Sequence, residues 1–211
     1  MTADAAQGAV LCGDLVGSVR AGPDAVGAAF ALLDDCFATV ADWTGTPARL
    51  TRFRGDGWQA LILPGTLGLR AALLLRARFR VAEDLPATRI VLGYGGIDHP
   101  GSRDLSDADG PAFRHAGRLL DALPRRRRLA VAPQDAPAGL PEMAALIDAL
   151  SARWSAAQAE AVAAALAPAP PTQAEIGAAL GLTQQAVQDR LDLAGFRAIE
   201  DTLGWAETRP L

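Results

Sequence analysis

Two aspartates stand where regular sequence patterns break off, and carboxylates so placed could hold a divalent cation such as Mg²⁺ or Mn²⁺. Asp14 directly follows the apolar run of residues 9–13, as a residue does at the end of a buried strand. Asp56 lies in a glycine-containing turn between two β-like segments, residues 49–54 and 58–63. If strand and hairpin are neighbours, the two carboxylates converge within metal-bridging distance. Each acid is also a common turn residue that could serve structure alone.

The residue inventory excludes several kinds of catalysis. The 211-residue chain contains no lysine and no asparagine, so all 20 basic side chains are arginine. Schiff-base chemistry, pyridoxal phosphate attachment and the Walker A phosphate loop each need a lysine. His99 and His115 are far apart in the sequence, and Cys12 and Cys36 are too few for a zinc module or a disulfide framework. We expect both cysteines to be reduced core residues.

The elements that must position the two acids follow from hydrophobic periodicity. A helix follows Asp14, and its apolar residues recur at spacings of four and three: Val26, Phe30, Leu33, Phe37 and Val40. The hairpin comes next, then an amphipathic helix over residues 65–83, a strand over residues 89–97 and a helix over residues 111–123. This βαββαβ order predicts an α+β fold with a ferredoxin-like plan.

A change of composition near residue 150 divides the chain into two expected domains, residues 1–150 and 151–211. The second is alanine-rich and has helical patterns throughout. The first carries 16 arginines and 17 acids, and the second carries 4 arginines and 7 acids, so their net charges are −1 and −3. Neither half is strongly basic. No apolar run is long enough to span a bilayer and no leader pattern is present, so we expect a cytoplasmic protein without membrane contact.

Four motifs within residues 8–123 resemble the catalytic domain of class III nucleotidyl cyclases and their GGDEF relatives. The first motif is Asp14-Leu15-Val16-Gly17-Ser18, at the end of the first strand. The second is Arg52-Phe53-Arg54-Gly55-Asp56, on the hairpin. The third is Arg89-Ile90-Val91-Leu92-Gly93-Tyr94-Gly95-Gly96, and the fourth places Asp107, Gly110, Phe113, Ala116 and Arg118 in register with the family's third-helix pattern.

The resemblance implies a nucleotide site and roles for its residues. Asp14 and Asp56 match the carboxylates that hold Mg²⁺ or Mn²⁺ in these cyclases. Arg118 matches the arginine that stabilises charge at the α-phosphate, and it would be catalytic only in an active cyclase. Asp107 matches a residue that reads the purine edge. The resemblance also implies a head-to-tail homodimer, in which Arg118 of one protomer faces both aspartates of the other.

Two positions depart from the cyclase pattern and favour binding over turnover. Arg52 stands where the family has a purine-reading lysine, and Arg114 stands where it has a ribose-positioning asparagine. Both remain candidate nucleotide-binding residues. Residues 55–59 and 109–113 are similar to signatures of the bacterial SatD family, which pairs a cyclase-like domain with a C-terminal helix-turn-helix. Gly57 replaces the glutamate that is usual in that family.

The C-terminal sequence resembles the helix-turn-helix of sigma-factor region 4 and MarR-like regulators. Thr172 and Glu175 form a capping-box pattern, and Gly181 marks a turn before a further helix. The resemblance implies duplex DNA as a partner, since glutamine can pair with adenine and arginine with guanine or phosphate. An all-helical dimerisation cap is the alternative. The candidate DNA-binding residues are Thr183, Gln184, Gln185, Gln188 and Arg190.

These patterns favour a SatD-like transcriptional regulator in which a degenerate cyclase-like domain senses a nucleotide or metal and controls a DNA-binding unit. An active Mg²⁺- or Mn²⁺-dependent nucleotidyl cyclase is the first alternative. A helix-turn-helix that binds another protein is the second. The arginine run of residues 125–128 is a solvated face or a phosphate clamp.

Overall fold

A computed structural model describes residues 7–53 and 55–210 and shows a mixed α+β protein. The described residues form five strands: β1 (Gln7–Leu15), β2 (Arg49–Phe53), β3 (Gly57–Ile62), β4 (Thr88–Gly96) and β5 (Leu129–Val131). They also form nine α-helices: α1 (Ser18–Ala21), α2 (Pro23–Thr44), α3 (Gly68–Val81), α4 (Pro111–Ala122), α5 (Leu140–Ser151), α6 (Ala156–Ala165), α7 (Gln173–Leu180), α8 (Gln184–Leu193) and α9 (Phe196–Glu207).

The five strands form one sheet in the order β2-β3-β1-β4-β5. β1 lies at its centre and pairs antiparallel with both β3 and β4, while β5 joins parallel to β4. The hairpin of β2 and β3 is antiparallel. β1 therefore lies between the hairpin and β4. Residues of these two neighbours are the ones that contact the side chains at the C-terminal end of β1.

Alternation along β1 directs its residues to two different cores. Ala9, Leu11 and Leu15 belong to a cluster that includes the buried faces of α2 and α3. Val10 and Cys12 belong to a second cluster, built with buried residues of α4. Asp14 has the parity of Val10 and Cys12, so it emerges on the sheet face that α4 covers.

The long helices have local causes that the sequence displays. Pro23 occupies the first turn of α2, and Gly45 ends the helix in a left-handed conformation, with φ of 67°. The predicted second helix begins later than expected: residues 65–67 form a 3₁₀ turn, and the α-helix starts at Gly68. Gly68 lies against β1 and β4. A Cβ atom added to this glycine would lie 2.6 Å from the Ala9 side chain. Close packing against the sheet requires glycine there.

Three of the C-terminal helices begin at side-chain caps, and the one at α7 is the capping box that the sequence predicts. Ser155 and Gln158 form one capping box at α6, and Thr172 and Glu175 form another at α7. Thr183 caps α8 by accepting a hydrogen bond from the backbone N–H of Ala186. α7 and α8 are thus separated by only three residues, 181–183.

The C-terminal helices pack on α3 and share its hydrophobic cluster, which contains buried residues of β1, α3, α6, α8 and α9. Arg70 of α3 forms a two-pronged ion pair with Glu207 of α9, at 2.6 and 3.0 Å, and also donates to the Leu166 carbonyl. The indole N–H of Trp154 donates to the Ala194 carbonyl inside the core. The sheet and the last four helices are therefore joined by one apolar cluster with polar contacts inside it.

Two further observations limit what the molecule can do. Cys12 and Cys36 are free and buried, as predicted. Burial raises the pKa of each thiol to about 12. Among residues 7–53 and 55–210, none of the helices combines the length and apolar character that crossing a bilayer requires.

Candidate functional site

Asp14 is held at the end of β1 between its two neighbouring strands. In register it lies opposite Gly57 of β3 and Arg89 of β4. Its side chain is 28% exposed, so one side of the carboxylate still meets solvent. The strand end therefore presents an acid to the surface, as the sequence predicts.

The guanidinium of Arg89 forms a bidentate ion pair with the carboxylate of Asp14. Its Nε donates to Oδ1 of Asp14 at 2.7 Å, and Nη2 donates to Oδ2. Nη1 donates to the Leu123 carbonyl at 2.9 Å, which fixes the guanidinium plane. The hydrogen bonds to Asp14 raise the pKa of Arg89. Asp14 is thus neutralised by a positive charge that belongs to the protein itself.

Asp56 lies at the tip of the hairpin and is tied to the segment that follows β1. The backbone N–H of Leu15 donates to the Asp56 carbonyl at 3.1 Å. The hydroxyl of Ser18 donates to Oδ2 of Asp56 at 2.6 Å. Gly17, with φ of 74°, makes the turn that brings Ser18 back toward the hairpin.

The structure brings the two predicted acids to one cleft. The cleft has a volume of about 310 Å³ and is open to solvent. Both acids, Arg89 and Arg125 supply its charges, so two positive and two negative side chains face the same space. Its full lining is Asp14, Leu15, Val16, Gly17, Ser18, Val19, Asp56, Arg89 and Arg125.

This arrangement does not fit a two-metal centre. Carboxylate oxygens are suitable ligands for Mg²⁺ or Mn²⁺, but both oxygens of Asp14 accept hydrogen bonds from Arg89. Asp56 contributes one further carboxylate, already bonded to Ser18. No group of three or more histidine, cysteine, aspartate or glutamate side chains placed to hold a metal occurs in the described part of the chain. Arg89 occupies the electrostatic role that a cation would have.

Arg52 lies on the other side of Asp56. Its Nε donates to the Gly55 carbonyl at 2.6 Å, and its guanidinium stacks 4.2 Å from the centre of the Phe30 ring. A second recess of about 420 Å³, lined in part by Arg52, Asp56 and Val26, opens there. Arg52 is therefore close to the candidate site but separated from Asp14 by the hairpin tip.

Asp107 and Arg114 lie beyond the C-terminal end of β4, whereas Asp14 lies beside its N-terminal end. Seven residues separate Arg89 from Gly96, which corresponds to roughly 24 Å along a strand. Asp107 accepts from the Ser102 N–H at 3.0 Å and from the Ser102 hydroxyl, and these bonds hold the pKa of its carboxyl well below its usual range. Arg114 bridges Asp98 and Asp109, at 3.3 and 2.6 Å. Within one chain, neither Asp107 nor Arg114 meets Asp14.

Arg118 is exposed on α4 and makes no hydrogen bond or ion pair with any residue of the described ranges. It does not line the cleft that holds Asp14 and Asp56. A third recess, of about 410 Å³, runs from Asp14 and Asp56 along the sheet to Gly117 and Asp121 of α4. The uncovered sheet surface beside α4 thus continues into the candidate site.

The cleft contains two residues for which the sequence predicts no role of their own, Ser18 and Arg89. It also contains Arg125, from the arginine run that the sequence predicts to be a solvated face or a phosphate clamp. In the sequence, Arg89 stands out only as the start of a strand motif. The signal that could have identified it is antiparallel pairing, because a basic residue at the start of β4 must lie opposite an acid at the end of β1. Ser18 begins the short helix α1 and Arg125 lies in a turn, and the sequence pattern does not specify the direction of either segment.

The predicted DNA-binding residues divide into two groups. Gln184, Gln185 and Gln188 are exposed on α8, and the Gln185 amide donates to Asp189 on the same helix at 2.8 Å. Arg190 differs from the expected outward position, because its guanidinium turns back toward α6 and pairs with Glu160 at 2.9 Å. The exposed surface of α8 therefore presents the three glutamine amides but not the guanidinium of Arg190.

Comparison with known proteins finds matches among solved structures. No protein-family model matches the sequence. No curated protein matches it either. Among solved structures, the chain is similar to the guanylyl cyclase Cya2, with 19% sequence identity, a TM-score of 0.39, and coverage of 62% of this chain and 77% of that chain.

Proposed function

We propose that this protein is a SatD-like transcriptional regulator of the bacterial cytoplasm, in which a cyclase-like domain controls a DNA-binding helix-turn-helix. The proposal assigns residues 1–150 to the sensory domain, with a ferredoxin-like plan, and residues 151–211 to DNA binding. The order β1, α2, β2, β3, α3, β4 and the strand order β2-β3-β1-β4 support that plan. The observation that carries the proposal is the geometry of α7 and α8.

α7 and α8 have the features of a DNA-reading helix pair. Gly181 ends α7 in the left-handed conformation, with φ of 67°, and its N–H bonds to the Gly177 carbonyl. An added Cβ at Gly177 would lie 2.7 Å from the Leu182 carbonyl, so the turn packs directly on α7. Ile176, Val187 and Leu191 are buried between the helices. The opposite side of α8 presents three amides to solvent, which supports docking in a major groove.

The electrostatics of this half favour a dimer. Its net charge is −3, and Arg190 is already paired with Glu160. Contacts to phosphate normally supply much of the affinity for DNA, so one copy alone binds weakly. Two copies on one duplex add their contacts through a high effective concentration. The proposal therefore includes a homodimer that binds a two-fold symmetric site.

A head-to-tail dimer would also bring one end of the sheet of one protomer next to the other end of the sheet of its partner. Asp107 and Arg114 lie away from Asp14 in one chain, and Arg118 does not line the cleft of Asp14. The cyclase resemblance places these three residues opposite the aspartates of a second copy. The guanidinium of Arg118, exposed and without a partner among the described residues, supports that role. The proposed ligand of this shared site is a nucleotide, held by arginine contacts to phosphate. Because Arg89 neutralises Asp14, we propose binding without turnover.

The experiment is a fluorescence anisotropy titration of genomic DNA fragments against the full-length chain. Replacing Gln184 and Gln188 together by alanine should weaken specific binding at least tenfold, because two base contacts are lost. Gln134→Ala, in an exposed loop outside the helix pair, is the control and should bind as the wild type does. Unchanged affinity in the double variant would remove α8 from DNA recognition and favour a protein-binding role.

An active nucleotidyl cyclase is the second candidate, favoured by the convergence of Asp14 and Asp56 on one cleft. Incubation with each nucleoside triphosphate and Mg²⁺ or Mn²⁺, followed by chromatography, tests it. The regulator proposal expects no cyclic product. A cyclic nucleotide that disappears in Asp14→Asn would establish the enzyme instead.

A further inference from the structure

A separate cleft with four arginines opens between the sheet and the C-terminal helices. Its volume is about 360 Å³, and it lies between the end of α3, the chain before β5 and the junction of α5 with α6. It shares no lining residue with the cleft of Asp14 and Asp56. The lining consists of Arg76, Phe79, Arg80, Glu83, Leu85, Ala87, Arg126, Arg128 and Ala152.

Arg76 is the unusual member of this set, since it is buried without a carboxylate partner in the described part of the chain. The residue is 8% exposed, and its one hydrogen bond runs from Nε to the hydroxyl of Ser151 at 3.1 Å. No solvent-inaccessible polar side-chain atom of the described residues lacks a partner, so the two Nη groups must reach the cleft. An uncompensated buried guanidinium is unfavourable, and burial lowers the pKa of Arg76.

The surrounding charges add to that of Arg76 instead of neutralising it. Arg80 donates to the Trp154 carbonyl at 2.6 Å and approaches Glu83 at 3.3 Å. Arg128 donates only to backbone carbonyls, and Arg126 is exposed without a partner in the described ranges. Four arginines and Glu83 therefore give the lining a net charge of +3, in a protein whose net charge is −4.

One further carboxylate lies near the cleft but is already engaged. Asp148 accepts hydrogen bonds from the N–H groups of Arg128 and Leu129, at 3.2 and 3.0 Å. Its other oxygen lies 3.5 Å from Nε of Arg127. Asp148 therefore supports the backbone before β5 and leaves the guanidinium of Arg76 without a direct anionic partner.

We propose that this cleft is a binding site for a phosphate-type oxyanion, held by Arg76, Arg126 and Arg128. Guanidinium groups match the tetrahedral oxygens of phosphate in charge and geometry, and the free Nη groups of Arg76 supply the buried anchor. The cleft is large enough for inorganic phosphate or pyrophosphate, or for the phosphate end of a larger ligand. The bound anion connects α3, the segment before β5 and the α5–α6 junction. The site is independent of the proposed DNA binding.

The test is calorimetric titration of the full-length protein with inorganic phosphate and with pyrophosphate, in EDTA and at constant ionic strength. EDTA removes divalent cations, so binding at the Asp14 cleft through a metal cannot contribute. We expect saturable binding, and a melting temperature that rises with ligand concentration. Pyrophosphate should bind more tightly than phosphate if the cleft receives the end of a polyphosphate ligand, and the two should be similar if it receives a single phosphate.

Three variants separate this site from general electrostatic attraction. Arg126→Ala removes an exposed side chain without disturbing the core and should raise Kd about tenfold. Arg76→Gln should raise it by at least as much, and Arg197→Ala, the same charge change at an exposed position on α9, should leave it unchanged. Absence of saturable binding at millimolar ligand, or equal weakening in Arg126→Ala and Arg197→Ala, would overturn the proposal.

Discussion

At Asp14 the choice between binding a cation and neutralisation within the chain is decided by one cross-strand partner. Arg89 is 17% exposed and its guanidinium is fixed by the Leu123 carbonyl, so little side-chain entropy is lost when it pairs with Asp14. A free carboxylate in the same position would face Asp56 across the cleft and favour a metal. The identity of residue 89 therefore controls the chemistry available at residue 14.

Replacement of Arg89 by methionine should convert the site into a metal site. We expect the variant to be less stable than the wild type by about 1–2 kcal/mol, because Asp14 keeps its charge and loses its partner. Mn²⁺ should then raise its melting temperature by about 3–6 °C at ten times the dissociation constant, and raise that of the wild type less. Differential scanning fluorimetry measures both. A gain that persists when Asp56→Asn is added would contradict this account.

The two thiols should be unreactive in the folded protein. With a pKa of about 12, each is ionised to a fraction on the order of 10⁻⁴ at pH 8. The pKa of each thiol is higher in the folded protein than the unfolded value of 9.0, so the folded state favours the protonated thiol. The contribution of the thiols to the free energy of unfolding is therefore complete below pH 9 and is lost as pH rises toward 12. Ellman's reagent should react fully only in denaturant, and urea midpoints should fall between pH 8 and pH 10. A Cys12→Ala, Cys36→Ala variant should show a smaller fall.

The sequence allowed Asp14 and Asp56 to be placed because each follows a local pattern, a strand end and a hairpin turn. It did not allow their hydrogen-bond partners to be placed. Ser18 reaches Asp56 only because Gly17 turns the chain, and Arg89 reaches Asp14 only because β1 and β4 pair in one particular register. Contacts across strands depend on that register, which single-sequence periodicity does not contain.

Among the elements, the short turn between α7 and α8 depends most on individual side chains. Thr172 and Glu175 satisfy each other's backbone N–H groups at the start of α7, and the Thr183 hydroxyl accepts from the Ala186 N–H at the start of α8. Both helices are short, with 8 and 10 residues, so few internal hydrogen bonds compensate for a lost cap.

Removal of the α7 cap by Thr172→Ala should destabilise the protein by about 1 kcal/mol. The reason is that the Glu175 N–H loses its acceptor, the Thr172 hydroxyl, and the Glu175 carboxylate loses the bond that this hydroxyl donates. The urea midpoint at unchanged slope measures the loss. Thr202→Ala is the control, because that hydroxyl donates only to a carbonyl of its own helix. Equal losses in the two variants would show that the cap is not responsible.

Element order was predictable from periodicity, while element ends and packing partners were not. The helices at residues 23–44 and 111–122 have apolar stripes at helical spacing, and α7 and α8 have caps that mark their starts. The delayed start of α3 arises because residues 65–67 form a tighter turn before the helix fits against β1. The first residue of α3 is therefore set by tertiary contacts, which the local sequence does not specify.

In the whole molecule, the ion pair of Arg70 and Glu207 connects the first and last thirds of the chain. Their side chains are 9% and 20% exposed, so water screens the pair little. The same guanidinium also satisfies the Leu166 carbonyl at the end of α6. Three helices therefore depend on one arginine.

Glu207→Gln should lower the stability of the entire chain by about 2–4 kcal/mol, since it leaves a buried guanidinium without its anion. Calorimetry should show one unfolding transition in both wild type and variant, because the same apolar cluster includes the sheet and the C-terminal helices. Glu200→Gln, on the exposed side of α9, is the matched control. A separate early transition for residues 151–211 would contradict a shared core.

The three arginines that α3 directs at the C-terminal helices also restrict how a signal can travel. Arg70, Arg76 and Arg80 contact α9, Ser151 and the Trp154 carbonyl, so sliding or rotation of α3 alone would break all three contacts together. A hinge between sheet and helices is thereby disfavoured. In the proposed dimer, a ligand would then act by changing the angle between two stiff subunits. If α8 binds DNA as proposed, the spacing of the two α8 helices along the duplex would be the quantity that the ligand controls.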